Sequence, residues 1–367
     1  MQHRPLSAVV LAAGEGTRMR SSRPKPLHLL CGRAMVLHVL DALAHLPLDK
    51  AVVVVGHGAE RVTKKLFEQA PADLPLEFVE QGVQRGTGDA VAVALTAFGT
   101  DDLDDGDLVV VPGDTPLLQP ATVTQLVDAH RSADAAATVL TARLADPAGY
   151  GRVVRGRDDR VARVVEHRDA TAAERAIDEV NTSIYCFRRS VLAPALRRLS
   201  PENSQGEYYL TDVIAVLHDA GYRVGSVAAS DPLETAGVND RAQLAAVEAA
   251  LRARTNDRWM LQGVTMIDPQ RTYVDATVRL APDVTLYPGT ILQGSTVVEA
   301  GAEIGPDTRL VDCTVAAGAV VESSIGRRAE IGPQARVGPY AVLGPGAQVA
   351  AGAVTGPFFT GDGTNDV

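Results

Sequence analysis

"RLAPDVTLYPGTILQGSTVVEAGAEIGPDTRL", residues 279–310, places a large aliphatic at every sixth position: Leu280, Leu286, Leu292, Val298, Ile304 and Leu310. Val315 and Val321 follow after a slip of one residue, and Ile325, Ile331, Val337, Leu343 and Val349 keep a third register. Glycine or proline frequently adjoins the aliphatic, and helix formers are scarce. At three hexads per turn, this run predicts about four coils of a parallel β-helix. A glycine-rich disordered tail is the competing reading. Such tails do not space aliphatics evenly, so the β-helix is favoured.

The grammar upstream is different. Residues 240–261, "DRAQLAAVEAALRARTNDRWML", form one helical pattern that reads as a connector. Before it, short apolar runs at 7–11, 50–55, 76–79, 108–111, 136–142, 161–165, 184–187 and 225–227 read as strands. Helical patterns such as 35–46 and 121–132 lie between them. "GAERVTKKLFEQA" (58–70) and "GTGDAVAVALTAF" (86–98) each open on glycine and turn helical. This alternation predicts an α/β fold with a Rossmann-like, mostly parallel sheet, whose ligands sit at the carboxyl ends of strands. The expected organisation is a sheet domain over 1–239, a linker helix over 240–263, the β-helix over 264–356 and a tail over 357–367.

Composition sets limits. With 367 residues, two domains are expected. A net charge of -10 argues against a broad nucleic-acid surface. Cys31, Cys186 and Cys313 are few, odd in number and far apart, which fits a reducing compartment without disulfides. No apolar run has the length of a membrane span, and the first residues lack the shape of a signal peptide, so a cytoplasmic location is expected. "DDLDDGD" (101–107) reads as a solvated loop without a role.

The first strand pattern runs into "LAAGEGTRMRSSRPKPL" (11–27). Ala12, Ala13, Gly14 and Gly16 allow backbone N–H groups to approach phosphate oxygens. Arg18, Arg20, Arg23 and Lys25 gather positive charge there in an acidic chain, and Pro24 and Pro26 stiffen the segment carrying Lys25. Taken alone, the loop reads either as a phosphate cradle or as a surface turn with solvated arginines. Asp114, just past the strand at 108–111, reads as a carboxylate at a strand's carboxyl end, where ligands sit, or as a turn aspartate before Thr115-Pro116. Asn181, Asn239 and Glu166 singly favour caps or surface positions. His57 reads as a turn residue, and Tyr208 and Tyr209 as core or cleft wall.

Taken together these motifs carry a resemblance. The loop at 11–27 is followed in order by "VVVGHG" (53–58), "EQGVQRGTGDAV" (80–91), "PGDTPLL" (112–118), "GYGRVVR" (149–155), "VVEHRDAT" (164–171), "EVNTSIY" (179–185), "QGEYYLTD" (205–212) and "GVNDR" (237–241). The ordered set resembles the sugar-1-phosphate nucleotidyltransferases. It is most similar to the bacterial bifunctional N-acetylglucosamine-1-phosphate uridylyltransferase/glucosamine-1-phosphate acetyltransferase family, over residues 7 to about 345. The resemblance implies a left-handed β-helix after the sheet domain. It implies that Leu11, Ala12, Ala13, Gly14, Gln81, Gly86 and Thr87 hold a uridine nucleotide, with Arg18 and Lys25 on its phosphates. Asp114 and Asn239 would hold Mg²⁺. Pro112, Gly113, Gly151, Glu166, Asn181 and Thr182 would line the substrate site. Pro112 stands where the family often has Tyr or Ser, and proline has no N–H to donate.

The implied reaction joins UTP to N-acetylglucosamine 1-phosphate and releases pyrophosphate, with no nucleic acid or membrane as partner. Another sugar, dTTP in place of UTP, or a non-catalytic UDP-sugar-binding scaffold are the alternatives. Acetyl transfer is not expected. Gly344 lies where the family usually carries a basic residue, and after Arg336 the sequence has no Lys, Arg or His. The resemblance also implies a homotrimer through the β-helix. Phe358 and Phe359, just past the last hexad, are expected either to cap the final coil or to fray.

Overall fold

The computed structural model describes residues 4–99, 106–156 and 159–362. It divides into two compact units, Met1–His28 with Ala34–Gln243, and Leu29–Arg33 with Leu244–Val367.

The first unit is built on a nine-stranded mixed sheet. Its strands are β1 (Leu6–Leu11), β2 (Lys50–Val55), β3 (Leu76–Glu80), β4 (Asp107–Pro112), β5 (Ala137–Arg143), β6 (Arg152–Arg155), β7 (Val161–Val165), β8 (Glu179–Arg188) and β9 (Val224–Ala228). The order is β9-β5-β8-β4-β1-β2-β3, and the β6–β7 hairpin joins through β8. The pairs β1–β2, β1–β4, β2–β3 and β5–β9 are parallel, while β8 runs antiparallel to β4, β5 and β6, and β6 to β7. β1, β2 and β4 read as nearly continuous Val, Ala and Leu because both of their faces are covered. One face packs on the helices Met35–Leu43 and Pro120–Ser132. The other packs on Thr87–Ala94, Arg189–Leu196 and Asp212–Asp219.

Asp107 corrects one expectation. It is not solvated; it opens β4 and is fully buried. Arg131 Nε donates to it at 2.7 Å, and His130 Nε2 lies 3.5 Å away. A carboxylate can be buried where cations meet it. Residues 101–105 of the same acidic run lie outside the described residues.

The second unit is a short left-handed parallel β-helix of three sheets, with five, six and five strands. That makes five full coils, from Thr265–Met266 to Gln348–Val349, rather than about four. The first coil has a longer corner through Pro269–Arg271, which breaks the hexad count before Leu280. Inward aliphatics stack from coil to coil, as in Leu286, Ile304, Val321 and Val337.

The predicted register fails at one place. Ile325 points outward and is 46% exposed, and the inward position is Gly326, in register with Leu310 and Leu343. A Cβ on Gly326 would lie 2.9 Å from Leu310 Cδ2 and 3.2 Å from Cys313 Sγ. Those two side chains already fill that layer. Past the last hexad, Thr360–Gly361 pairs with Val342–Leu343. Phe359 packs against the β-helix core, whereas Phe358 is 73% exposed and stacks on Tyr340. The two phenylalanines therefore do not cap together.

The helix Arg241–Leu261 spans the predicted connector. Among the described residues, no helix is long and apolar enough to cross a membrane.

Candidate active site

The loop after β1 is stitched to its neighbours by backbone bonds. Ala12 N–H donates to Val54 O at 2.9 Å, Gly113 N–H to Leu11 O at 2.8 Å and His57 N–H to Ala13 O at 3.3 Å. The carboxyl ends of β1, β2 and β4 thereby form one rim, where an open α/β sheet places its ligands. Gly56 permits this closeness, since a Cβ there would sit 2.7 Å from Ala13 O. Gly16 adopts φ 64°, and its Cβ would sit 2.6 Å from Lys25 Cβ. The stem of Lys25 is thus laid against the loop, on the 3₁₀ turn Lys25–Leu27 that follows Pro24.

Four side chains meet at this rim. The Lys25 ammonium donates to the Asp114 carboxylate, and to Asn239 Oδ1 at 3.0 Å. Arg18 Nη2 donates to the same Asn239 oxygen at 2.9 Å. The loops carrying the two acceptors are tied together, because Val238 N–H donates to Asp114 O at 2.9 Å. Asn239 N–H donates to Gln243 Oε1 at 2.7 Å. Tyr150 stands beside them. Burial, followed by the charge of Asp114, raises its phenol pKa, while a hydrogen bond with the Gly237 backbone opposes the rise.

The donor set can be compared with a Mg²⁺ site. The two acceptors are hard oxygens that converge on one cation, here the ammonium. Among the described residues, no group of three or more His, Cys, Asp or Glu could hold a metal by itself. Two protein oxygens beside the cations Arg18 and Lys25 suit Mg²⁺, which retains waters and leans on substrate phosphates. The residues present therefore fit the ion.

The far end of the cleft is set by an irregularity in β8. Its pairing to β5 shifts register between Asn181 and Tyr185, with Ser183 at φ 62°. The bulge turns Asn181 and Thr182 toward the cleft. Asn181 Nδ2 donates to the Tyr185 hydroxyl at 2.8 Å, and the Thr182 hydroxyl donates to Leu140 O at 2.7 Å. Glu166 faces them, accepting from the Thr211 hydroxyl at 3.1 Å. Burial raises its carboxyl pKa; the Thr211 bond opposes this, and the charges of Asp212, Asp169 and Glu207 add to it. Gly151 lies beside it, and a Cβ there would press on Val164 Cγ1 at 3.1 Å.

At the third side, Gln81 Nε2 donates to Gly86 O at 3.2 Å and to Asp89 Oδ2 at 2.7 Å. Gly86 has φ 108°, and its Cβ would meet Tyr208 O at 2.6 Å. Tyr209 is buried, in keeping with the core reading.

Every residue that the resemblance assigns to nucleotide, sugar or metal, from Leu11 to Asn239, lines this one cavity of about 530 Å³. Arg20 and Arg23 are exposed and do not line it, so only half of the loop's cations face the cleft. Sequence reasoning missed Gln84, Tyr150, Glu207, Gly237 and Gln243, which also line it. Gln84 donates to Ala13 O at 2.6 Å. It lies inside the quoted 80–91 motif, the signal that could have found it.

Comparison with known proteins gives the chain its relatives. A nucleotidyl transferase family model matches residues 7–240. A "bifunctional protein GlmU" of Streptomyces avermitilis is 47% identical over 328 residues, 89% of this chain and 67% of the relative. The protein of the same name from Thermobifida fusca is 47% identical over 327 residues, with the same coverage of both chains. That of Streptomyces coelicolor is 48% identical over 327 residues, again 89% and 67%. With the site's loops inside the matched region and most of the chain aligned, the chain belongs to the nucleotidyl transferase family, among the GlmU proteins.

Proposed function

We propose that this chain is a Mg²⁺-dependent uridylyltransferase. It would join UTP to N-acetylglucosamine 1-phosphate, forming UDP-N-acetylglucosamine and pyrophosphate. The observation that carries the reading is the meeting of Arg18 and Lys25 with Asp114 and Asn239 at the carboxyl ends of β1 and β4.

The sugar phosphate is already an anionic nucleophile, so no residue need take a proton. Its oxygen bonds to the α-phosphorus of UTP in line, and the bond from that phosphorus to the bridging oxygen breaks as pyrophosphate leaves. The chain's task is to position two anions and offset their repulsion. Lys25 and Arg18 would hold phosphate oxygens, and backbone N–H groups of residues 11–14 would face the nucleotide. Gln81, Gly86 and Thr87 would read the base. Glu166, Asn181, Thr182 and Gly151 would bind the sugar and its N-acetyl group. Mg²⁺, held by Asp114 and Asn239, would supply charge neutralisation on the triphosphate when bound.

Acetyl transfer is not part of the proposed activity. It requires a base for the amine proton and cations for the coenzyme's phosphates. Residues 337–367, Gly344 among them, contain no Lys, Arg or His for either role. The β-helix would serve assembly, as a homotrimer, in the cytoplasm.

A panel of nucleotides and sugar phosphates, followed by pyrophosphate release, tests the reaction. Absence of turnover with UTP and N-acetylglucosamine 1-phosphate would refute it. Turnover with dTTP or another sugar phosphate alone would move the assignment to that substrate. Thiol release from acetyl-coenzyme A with glucosamine 1-phosphate, lost on mutation within 264–362, would refute the restriction to one activity. A monomer by light scattering at micromolar concentration would refute the trimer.

A further inference from the structure

Both oxygens assigned to the metal already have a cation. The Lys25 ammonium bridges the Asp114 carboxylate and Asn239 Oδ1, and Arg18 shares the Asn239 oxygen. The Lys25 and Asp114 side chains are only 14% and 24% exposed, so water screens the pair weakly. Gly16 and the flanking prolines fix the lysine's stem. The ammonium can therefore leave by rotating its side chain, without movement of the loop.

We propose that Lys25 gates metal entry. In the substrate-free protein its ammonium occupies the cation position between Asp114 and Asn239, and it leaves that position for the phosphates of an incoming nucleotide. The proposal rests on the reading of Asp114 and Asn239 as metal ligands.

The reasoning is one of compensation. An ammonium and a divalent cation repel each other and compete for the same two oxygens. Displacing Lys25 with no anion to receive it leaves a positive group in a half-buried cleft without a partner. A nucleotide supplies the missing anion, because its phosphates lie within reach of the same side chain. Nucleotide and metal are then coupled through one lysine, each favouring the other's binding. The free protein binds a bare divalent ion weakly, and takes it up together with the triphosphate. Arg18 is exposed and shares the Asn239 oxygen, so it too would turn to the phosphates as the ion enters.

The test uses Mn²⁺ alone as the probe, with no nucleotide, on the whole chain. Free Mn²⁺ is measured by electron paramagnetic resonance, and folding is checked by melting temperature. Lys25→Met, which keeps the bulk and removes the charge, should bind Mn²⁺ about tenfold more tightly than wild type, or better. Lys25→Arg, which keeps the charge, should bind as weakly as wild type, and it stands in as a folded control. Adding Asp114→Asn to Lys25→Met should abolish the gain. Equal affinity in wild type and Lys25→Met overturns the gate. Tight binding that survives Asp114→Asn overturns the metal assignment beneath it, because the ion then sits elsewhere.

Discussion

Thr211 donates its hydroxyl to the Glu166 carboxylate across 3.1 Å, yet burial still holds that carboxyl above its usual range. The folded state therefore binds this proton more tightly than the unfolded chain does. The associated stability is present below the ordinary carboxylate range and is lost as pH rises through the folded value. At pH 7, where the unfolded chain ionises this group freely, its burial costs stability. Glu166→Gln should raise the melting temperature at pH 7 by about 2 °C, with the gain shrinking toward pH 4. The same change should raise KM for the sugar phosphate more than for UTP if, as proposed, Glu166 binds the sugar. Calorimetry at the two pH values and steady-state kinetics check both parts.

Lys25→Ala should lower kcat on the order of 10²-fold, by removing the cation proposed to hold the phosphates. KM for the sugar phosphate should change far less. An activity within a factor of about three of wild type would place the essential cation elsewhere.

Asp107 is buried at the opposite end of β4 from Asp114, and its role is mechanical. Burial acts to raise its pKa, but the contacts with His130 and Arg131 outweigh this and leave the carboxyl below its usual range. The stabilisation is present above the ordinary carboxylate value and fades as pH falls through the folded one. Asp107→Asn should cost about 2 kcal/mol at pH 7 while leaving KM unchanged. The stabilities of variant and wild type should converge as pH falls below about 4. A denaturant series at several pH values reads this directly.

Where the sequence could be read, the reason is local. Buried strands such as Lys50–Val55 announce themselves as unbroken aliphatic runs, and the β-helix as a repeat. The site loops were legible because their motifs occur in a fixed order. What escaped depends on partners far along the chain. Cys31 N–H donates to Glu248 Oε2 at 2.8 Å, and Cys31 O accepts from Ala276 N–H at 2.8 Å. Both contacts place residues 29–33 in the second unit, and no pattern near residue 31 signals them. Gly326 escaped for a related reason. Its need for no side chain is set by Leu310 and Cys313, so Ile325 took the hexad position on paper. The bulge at Asn181 likewise follows from pairing with β5 rather than from composition.

Phe358 and Phe359 test the end of the β-helix most directly, because adjacent residues of one type face opposite ways. Phe359 packs on the core beneath the last strand, and Val342 N–H donates to its carbonyl at 2.8 Å. Gly361 follows it inward, where a Cβ would lie 3.3 Å from Ala347 Cβ. Phe358 instead stacks on Tyr340 with ring centroids 5.3 Å apart, and both rings are largely in solvent. Phe359→Ala should therefore cost about 2 kcal/mol, by exposing aliphatics of the final coil. Phe358→Ala should cost under about 1 kcal/mol, the worth of an exposed ring pair. Truncation after Gly356 should lower the melting temperature at least as much as Phe359→Ala, because it also removes the strand Thr360–Gly361. Equal losses from the two single substitutions would mean that both rings shield the coil. No loss from truncation would mean that the β-helix core closes without them.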